Sequence, residues 1–213
     1  MSPALSTEAV KLRSSLVGIV ATTAIVGGIA VLSGAMLLAV TSGQPDLVAK
    51  LGPGATADWA GLLFSAAQIT GAGGLLGYGI VLAWIFGREF SDATVSALFA
   101  LPVGRGSIAA AKIAVFALWS VGTALALAGA LVVVGLVGGL GAPTSEVWAG
   151  LARQTALGVL TSAIVTPVAW VTTVTRSTLA GVAATIAIVI VAQVGVLVGA
   201  GDGCRSPPRR CGR

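Results

Sequence analysis

The amino-acid sequence predicts an all-α, polytopic transmembrane helical bundle of five spans. Three observations carry that expectation. Of the 213 residues, 56% are hydrophobic and only 9% are charged, against roughly 25% charged in an ordinary globular domain, so the chain cannot clothe a water-facing surface. The apolar residues fall in long uncharged runs, and a run of about 20 is what a helix needs to cross the hydrocarbon core. At that depth backbone groups must be paired within the segment, which excludes open sheet edges. Disorder is excluded as well, because it requires low hydrophobicity and high charge.

The elements follow in order. Residues 16–40 contain no charge. Their basic flank, Lys11 and Arg13, resembles the start of a signal peptide, but the run far exceeds an apolar core of roughly 7–15 residues, so an uncleaved anchor is expected. The second span, 59–86, is also uncharged, and Ser65 and Gln68 in its early part point to a bent or interfacial stretch. The third, 113–137, runs into a Gly-rich turn at 138–141. The fourth, 151–174, carries Arg153 near one end and Pro167 in its middle. Pro167 predicts a kink, with the Thr166 hydroxyl available to rebond freed backbone. The fifth, 178–199, is clean except for Gln193.

Lys and Arg in the short loops set the orientation. The amino-terminal arm has Lys11 and Arg13, and the 45–58 loop sets Lys50 against Asp46 and Asp58. Residues 87–112 hold Arg88, Arg105 and Lys112, residues 138–150 only Glu146, and the last turn Arg176. The bias alternates with a cytoplasmic amino terminus; the heavy Ala, Gly, Val and Arg usage suggests a GC-rich bacterial genome, so the expected membrane is a bacterial cytoplasmic (inner) membrane, crossed several times. The basic tail 201–213, with Arg205, Arg209, Arg210 and Arg213, breaks the alternation after an odd number of spans. Its abrupt shift to Gly, Arg, Pro and Cys leaves two readings, a soluble basic tail or a slipped reading frame that hides an apolar sixth span. Both cysteines, Cys204 and Cys211, lie there, and the chain has no His, so imidazole-based catalysis and His-ligated zinc are excluded. No metal or cofactor is expected. Residues 1–200 keep eight basic and six acidic side chains, too thin a footprint for nucleic acid.

Residues 87–112, GREFSDATVSALFALPVGRGSIAAAK, carry the most specific pattern. On a helix Glu89, Asp92 and Ser96 make a polar stripe, while Phe90, Ala93, Ala97 and Leu101 make an apolar face. Pro102 ends that helix, 103–106 turn, and Ser107 is placed to cap the helix that carries Lys112 into the third span. Periodicity alone fits an interfacial helix that does no more than anchor a loop.

These residues resemble the cytoplasmic signature of ABC transporter permeases of the type-two exporter class, especially those of bacitracin and lantibiotic export or immunity. The family pattern is an acidic–aromatic pair, two residues, Gly-Thr, a Leu-rich half turn, Leu-Pro-Val, a small residue and Arg. This chain reads Glu89, Phe90, Ser91, Asp92, Ala93, Thr94, then Leu98 to Arg105 through Leu101-Pro102-Val103; Ala93 stands where the family commonly has Gly. The resemblance implies a half-transporter: two permease subunits, homo- or heterodimeric, with an ABC ATPase subunit as a separate chain. Glu89, Phe90, Asp92, Thr94, Pro102 and Arg105 would then couple to the ATPase partner rather than catalyse. Export of a hydrophobic or amphipathic compound, such as a peptide antibiotic, and a part in antibiotic resistance are also implied. The family has six spans where this chain supplies five. The alternative therefore stays open of a non-transporting membrane anchor or immunity subunit, or of an inactive truncated permease.

The chain cannot power itself. Its lysines, Lys11, Lys50 and Lys112, none preceded by Gly, make no P-loop, so no enzyme activity is expected here and ATP hydrolysis belongs to a partner. The glycine cluster 71–77 lacks dinucleotide spacing, and Gly73 with Gly77 reads as a small-xxx-small helix-packing pair, as do Gly135 with Gly139 and Gly195 with Gly199. Gln68, Gln193, Thr161, Ser162 and Thr166 are expected to bond between helices rather than to line a path. Arg153 is expected within about a turn of the outer boundary, snorkelling to the headgroups, with Trp59 and Trp148 as interfacial anchors. An intramembrane enzyme would need convergent acidic, His or Cys groups, which the spans lack.

Overall fold

A charge-free run in a bilayer can satisfy its backbone only within itself, and such runs are helical in the computed structural model, which describes residues 15–43, 54–91 and 105–203. Helix α1 spans Leu16–Thr41, opened by Ser15, whose hydroxyl accepts from the Gly18 N–H at 3.0 Å. Asp58 caps α2, Trp59–Ile69, by accepting from the Gly61 N–H at 2.8 Å. A single π-helical turn, Thr70–Gly74, links α2 without a break to α3, Leu75–Ser91. Helix α4 covers Arg105–Val137 and leads into a turn in which Gly139 and Gly141 take φ of 76° and 78°. Left-handed backbone there is open to glycine at no steric cost. Helices α5 (Ser145–Ile164), α6 (Pro167–Thr175) and α7 (Thr178–Gly203) complete the described residues. Five stretches are long and apolar enough to cross a membrane: Leu16–Thr41, Trp59–Arg88, Gly106–Val137, Ser145–Thr175 and Thr178–Gly195. Among the described residues there is no strand.

Several boundaries differ from the sequence expectation. The third span's helix begins at Arg105 rather than at 113, so Ser107 lies inside it and caps nothing. Lys112, counted in the sequence as a loop charge, is 3% exposed; its ammonium donates to the Ile85 carbonyl at 2.9 Å. A long apolar stem lets a cation be carried within a helix when a carbonyl meets its head. The fourth span starts at Ser145 rather than at 151, which moves Arg153 about two turns from its start. That span is also two helices. Pro167 lacks an N–H, α5 stops at Ile164, and the Thr166 hydroxyl donates to the Ala163 carbonyl at 2.7 Å.

The second span runs through the middle of the bundle. Its first half, α2, packs against α1 and α5, and its second half, α3, packs against α6 and α7; α4 lies against α1 and α5. Leu62, Ala66, Tyr78, Val81, Leu82, Leu127 and Leu131 form the buried centre. The Tyr78 ring meets Trp119 edge-on, with centroids 5.7 Å apart.

Lipid tails compete with apolar side chains, so close packing of small residues holds helices together in a bilayer. A methyl group on Gly77 would meet Ile25 of α1 at 2.7 Å, and one on Gly181 would meet Ala83 of α3 at 2.8 Å as well as the Thr172 hydroxyl of α6. Gly79 and Gly87 face Thr185 and Thr178 of α7, and Gly135 faces the Trp59 ring. Gly73 does not meet another helix; its nearest neighbour is Ile69 of its own turn, at 3.9 Å, while Gly195 has nothing within 4 Å.

Candidate functional site

Of the six residues that the sequence ties to an ATPase partner, the structure describes the edges of the segment. Glu89 and Phe90 lie in the last turn of α3, and Arg105 opens α4. Phe90 is half-buried. Asp92, Thr94 and Pro102 lie outside the described residues, as does the expected amphipathic helix beyond Ser91. The two flanks of the segment are joined by side chains. The Lys112 ammonium donates to Ile85 and lies 5.7 Å from the centre of the Phe86 ring, while the Arg88 guanidinium lies over the Trp84 ring at 4.8 Å. A cation over an aromatic face is attracted to the ring quadrupole, so both basic groups here are held against the end of the second span.

At the opposite end of the bundle, α2 and α5 diverge around a cleft of about 650 Å³. Trp59 stands at its edge but is 9% exposed, and its indole N–H donates to the Leu140 carbonyl at 3.1 Å. It closes the α4–α5 turn onto the second span rather than anchoring at the interface, because Gly135 leaves room for its ring. Trp148 is 56% exposed, as an interfacial ring would be. The rim of the cleft carries Asp58 and Glu146, and Arg153 and Gln154 line it farther in. The Thr56 hydroxyl and then the Gly61 N–H hold the Asp58 carboxyl below its usual pKa.

Gln154 is the polar residue that sequence reasoning passed over. It is 4% exposed and donates from Nε2 to the Thr70 hydroxyl at 2.8 Å, and Thr70 in turn donates to the Ala66 carbonyl at 2.7 Å. This bond ties the fourth span to the π turn of the second. An amide beside Arg153 in an otherwise apolar run was the available signal. Ser162 bonds Ser120 across helices at 3.0 Å, and the Trp119 indole donates to Thr22 at 2.9 Å. Thr161 instead returns its hydroxyl to the Leu157 carbonyl of its own helix. Among the described residues no three His, Cys, Asp or Glu side chains gather to hold a metal.

The bundle thus offers a bonded end beside residues 92–104, a cleft at the other end, and hydrogen-bonded joints between spans. The family model for the ABC-2 family transporter protein matches residues 4–192. No curated protein and no solved structure matches the chain. With a family match over most of its length and five helices of membrane-spanning length, the chain belongs to the ABC-2 transporter family, as a multi-pass membrane permease.

Proposed function

We propose that the chain is the permease subunit of an ATP-driven exporter, in which residues 87–112 receive the work of a separate ATPase and pass it to the second and third spans. The single observation that carries this reading is the Lys112–Ile85 bond, which closes both flanks of the segment on each other. A push on the segment then moves α3 and α4 as one body. Glu89 and Asp92 would face basic groups of the ATPase, Arg105 acidic groups or lipid phosphate, and Phe90, Thr94 and Pro102 would shape the docking helix and its elbow. Charges at such a rim mainly set register and specificity. The amino terminus is on the cytoplasmic side of a bacterial membrane, the working unit pairs two permeases, and the cargo is hydrophobic or amphipathic, peptide antibiotics included.

The test is co-expression in membranes with a candidate ATPase. Charge reversal, Glu89→Lys or Arg105→Glu, is expected to weaken the complex and to abolish cargo-stimulated ATP hydrolysis. If both variants leave association and ATPase rate unchanged, the coupling role is wrong. If the pair assembles yet moves no cargo, the chain is an anchor or immunity subunit instead.

A further inference from the structure

The cleft between α2 and α5 has a chemistry ordered by depth. Asp58 precedes α2 and Glu146 lies in the first turn of α5, so both rim groups are carboxylates. Arg153 lies seven residues beyond Glu146 in the sequence, roughly 10 Å farther along the axis at 1.5 Å per residue. That spacing is too long for an ion pair, and the Asp58 carboxylate is already held by Thr56 and Gly61. Arg153 is exposed in the cleft, and the described residues form no ion pair with it. Helical side chains lean toward the helix start, which here is the rim. Farther in than Arg153 the wall is apolar at Leu157, while the Phe64 ring lies nearer the rim, against Gly54. The sequence from the rim is therefore acid, base, hydrocarbon. At about 650 Å³ the cleft falls within the ~300–1,000 Å³ of small-molecule sites.

We infer that this cleft binds a zwitterionic phospholipid of the bilayer, its ammonium at the Asp58–Glu146 rim, its phosphate on Arg153 and an acyl chain along Leu157. The order of charges selects it. A simple anionic amphiphile would bring its charge past two carboxylates, and a cationic one would meet Arg153. A phospholipid with an outer ammonium and an inner phosphate satisfies both levels at once. Arg153 gives phosphate a bidentate, charge-assisted partner, and the same ion pair removes the cost of a cation facing hydrocarbon. Gln154, pinned by Thr70, keeps the wall beside Arg153 fixed. The inference rests on the membrane placement of the chain and not on the ATPase coupling.

The experiment uses the full chain in detergent, without any ATPase, and reads lipid binding by native mass spectrometry. The probes are short-chain phosphatidylethanolamine, the matched phosphatidylglycerol and the matched diacylglycerol. Phosphatidylethanolamine is expected to bind most tightly. Arg153→Gln should weaken both phospholipids by about tenfold or more, the equivalent of one lost charge-assisted hydrogen bond, and Arg153→Lys should fall between the unaltered chain and Arg153→Gln, keeping the charge but not the bidentate fork. Glu146→Gln should weaken phosphatidylethanolamine and strengthen phosphatidylglycerol. Unchanged phosphatidylethanolamine binding in Arg153→Gln overturns the site. Equal binding of the two phospholipids, unmoved by Glu146→Gln, overturns the zwitterion. A failed ATPase partnership leaves these readings untouched, and failed lipid binding leaves the coupling role untouched.

Discussion

Substituting Ala for Gly181 should loosen the fifth span from the rest of the bundle. Little of that span is enclosed, since only 11% of its most apolar window is buried. It meets α3 and α6, and the new methyl would lie against the Thr172 hydroxyl on one side and 2.8 Å from the Ala83 methyl on the other, where 3.4–4 Å is ordinary contact. Neither neighbour can swing away. Ala83 has no rotamer, and Thr172 is fully buried with its hydroxyl bonded to the Val168 carbonyl at 2.8 Å. Relief therefore requires a helix to shift. Overpacking of this kind costs about 1–3 kcal/mol, offset by the roughly 0.5–1 kcal/mol that Ala gains over Gly in a helix. A net loss of about 0.5–2 kcal/mol is expected. Gly195→Ala on the same helix is the control, because nothing lies within 4 Å of it. It takes the helix gain without the clash, so the difference between the two variants isolates the clash at about 1–3 kcal/mol. Thermal unfolding of both in one detergent, followed by far-UV circular dichroism, measures it. Thr172→Ala in the Gly181→Ala background should recover part of the loss, a coupling that a double-mutant cycle reads directly. Equal stability of Gly181→Ala and Gly195→Ala would refute close packing as the bond that holds this span.

Asp58→Ala removes the α2 cap and should cost about 0.5–2 kcal/mol, at the lower end because the site is exposed. The folded Asp58 pKa lies below its ordinary 3.8, so the cap acts fully above that value and fades as pH falls through the lower folded one. Asp58→Asn should keep the cap and lose this acid-limb dependence in a pH–stability series. Thr70→Val leaves Gln154 without its partner and should destabilise by about 0.5–1.7 kcal/mol, the span seen for hydrogen bonds between membrane helices. The low end is expected, since Gln154 borders the cleft; a loss above that range in detergent unfolding would mean the π turn itself had collapsed. Trp59→Phe strands the Leu140 carbonyl and withdraws the indole's far edge from Gly135, a loss of at least about 1 kcal/mol, and limited proteolysis of the α4–α5 turn should quicken.

The five spans were legible because a bilayer makes one demand, a long run free of charge, and the described residues meet it five times. The kink at Pro167 was legible for a similar reason, as a missing donor has only local remedies. The span limits were not. Lys112 marked a loop when counted as a charge and Arg153 the outer end of a span, yet a carbonyl buries the first and a cleft receives the second. Which glycines pack depends on what stands opposite, and spacing is blind to that: Gly77 meets Ile25 while Gly73, one turn earlier, meets no other helix. Gly79 and Gly181, unremarkable in spacing, hold the fifth span. Trp59 read as an interfacial ring because its acceptor, the Leu140 carbonyl, lies 81 residues away. The cleft was invisible for the same reason, being made by helices that are two spans apart in the chain.

The π turn at Thr70–Gly74 acts as a phase shifter in the second span. One residue beyond the α-helical count rotates everything after it by about 100°. Before the turn the span addresses α1 and α5; after it Gly77 still meets α1, while Gly79 and Gly87 address α7. Removing a single residue between Thr70 and Gly74 would add no charge and leave the helical backbone bonding intact. It would also turn both glycines away from Thr185 and Thr178 and leave the fifth span facing bulk where it had found gaps. Length, at this one place, is a stronger constraint than identity.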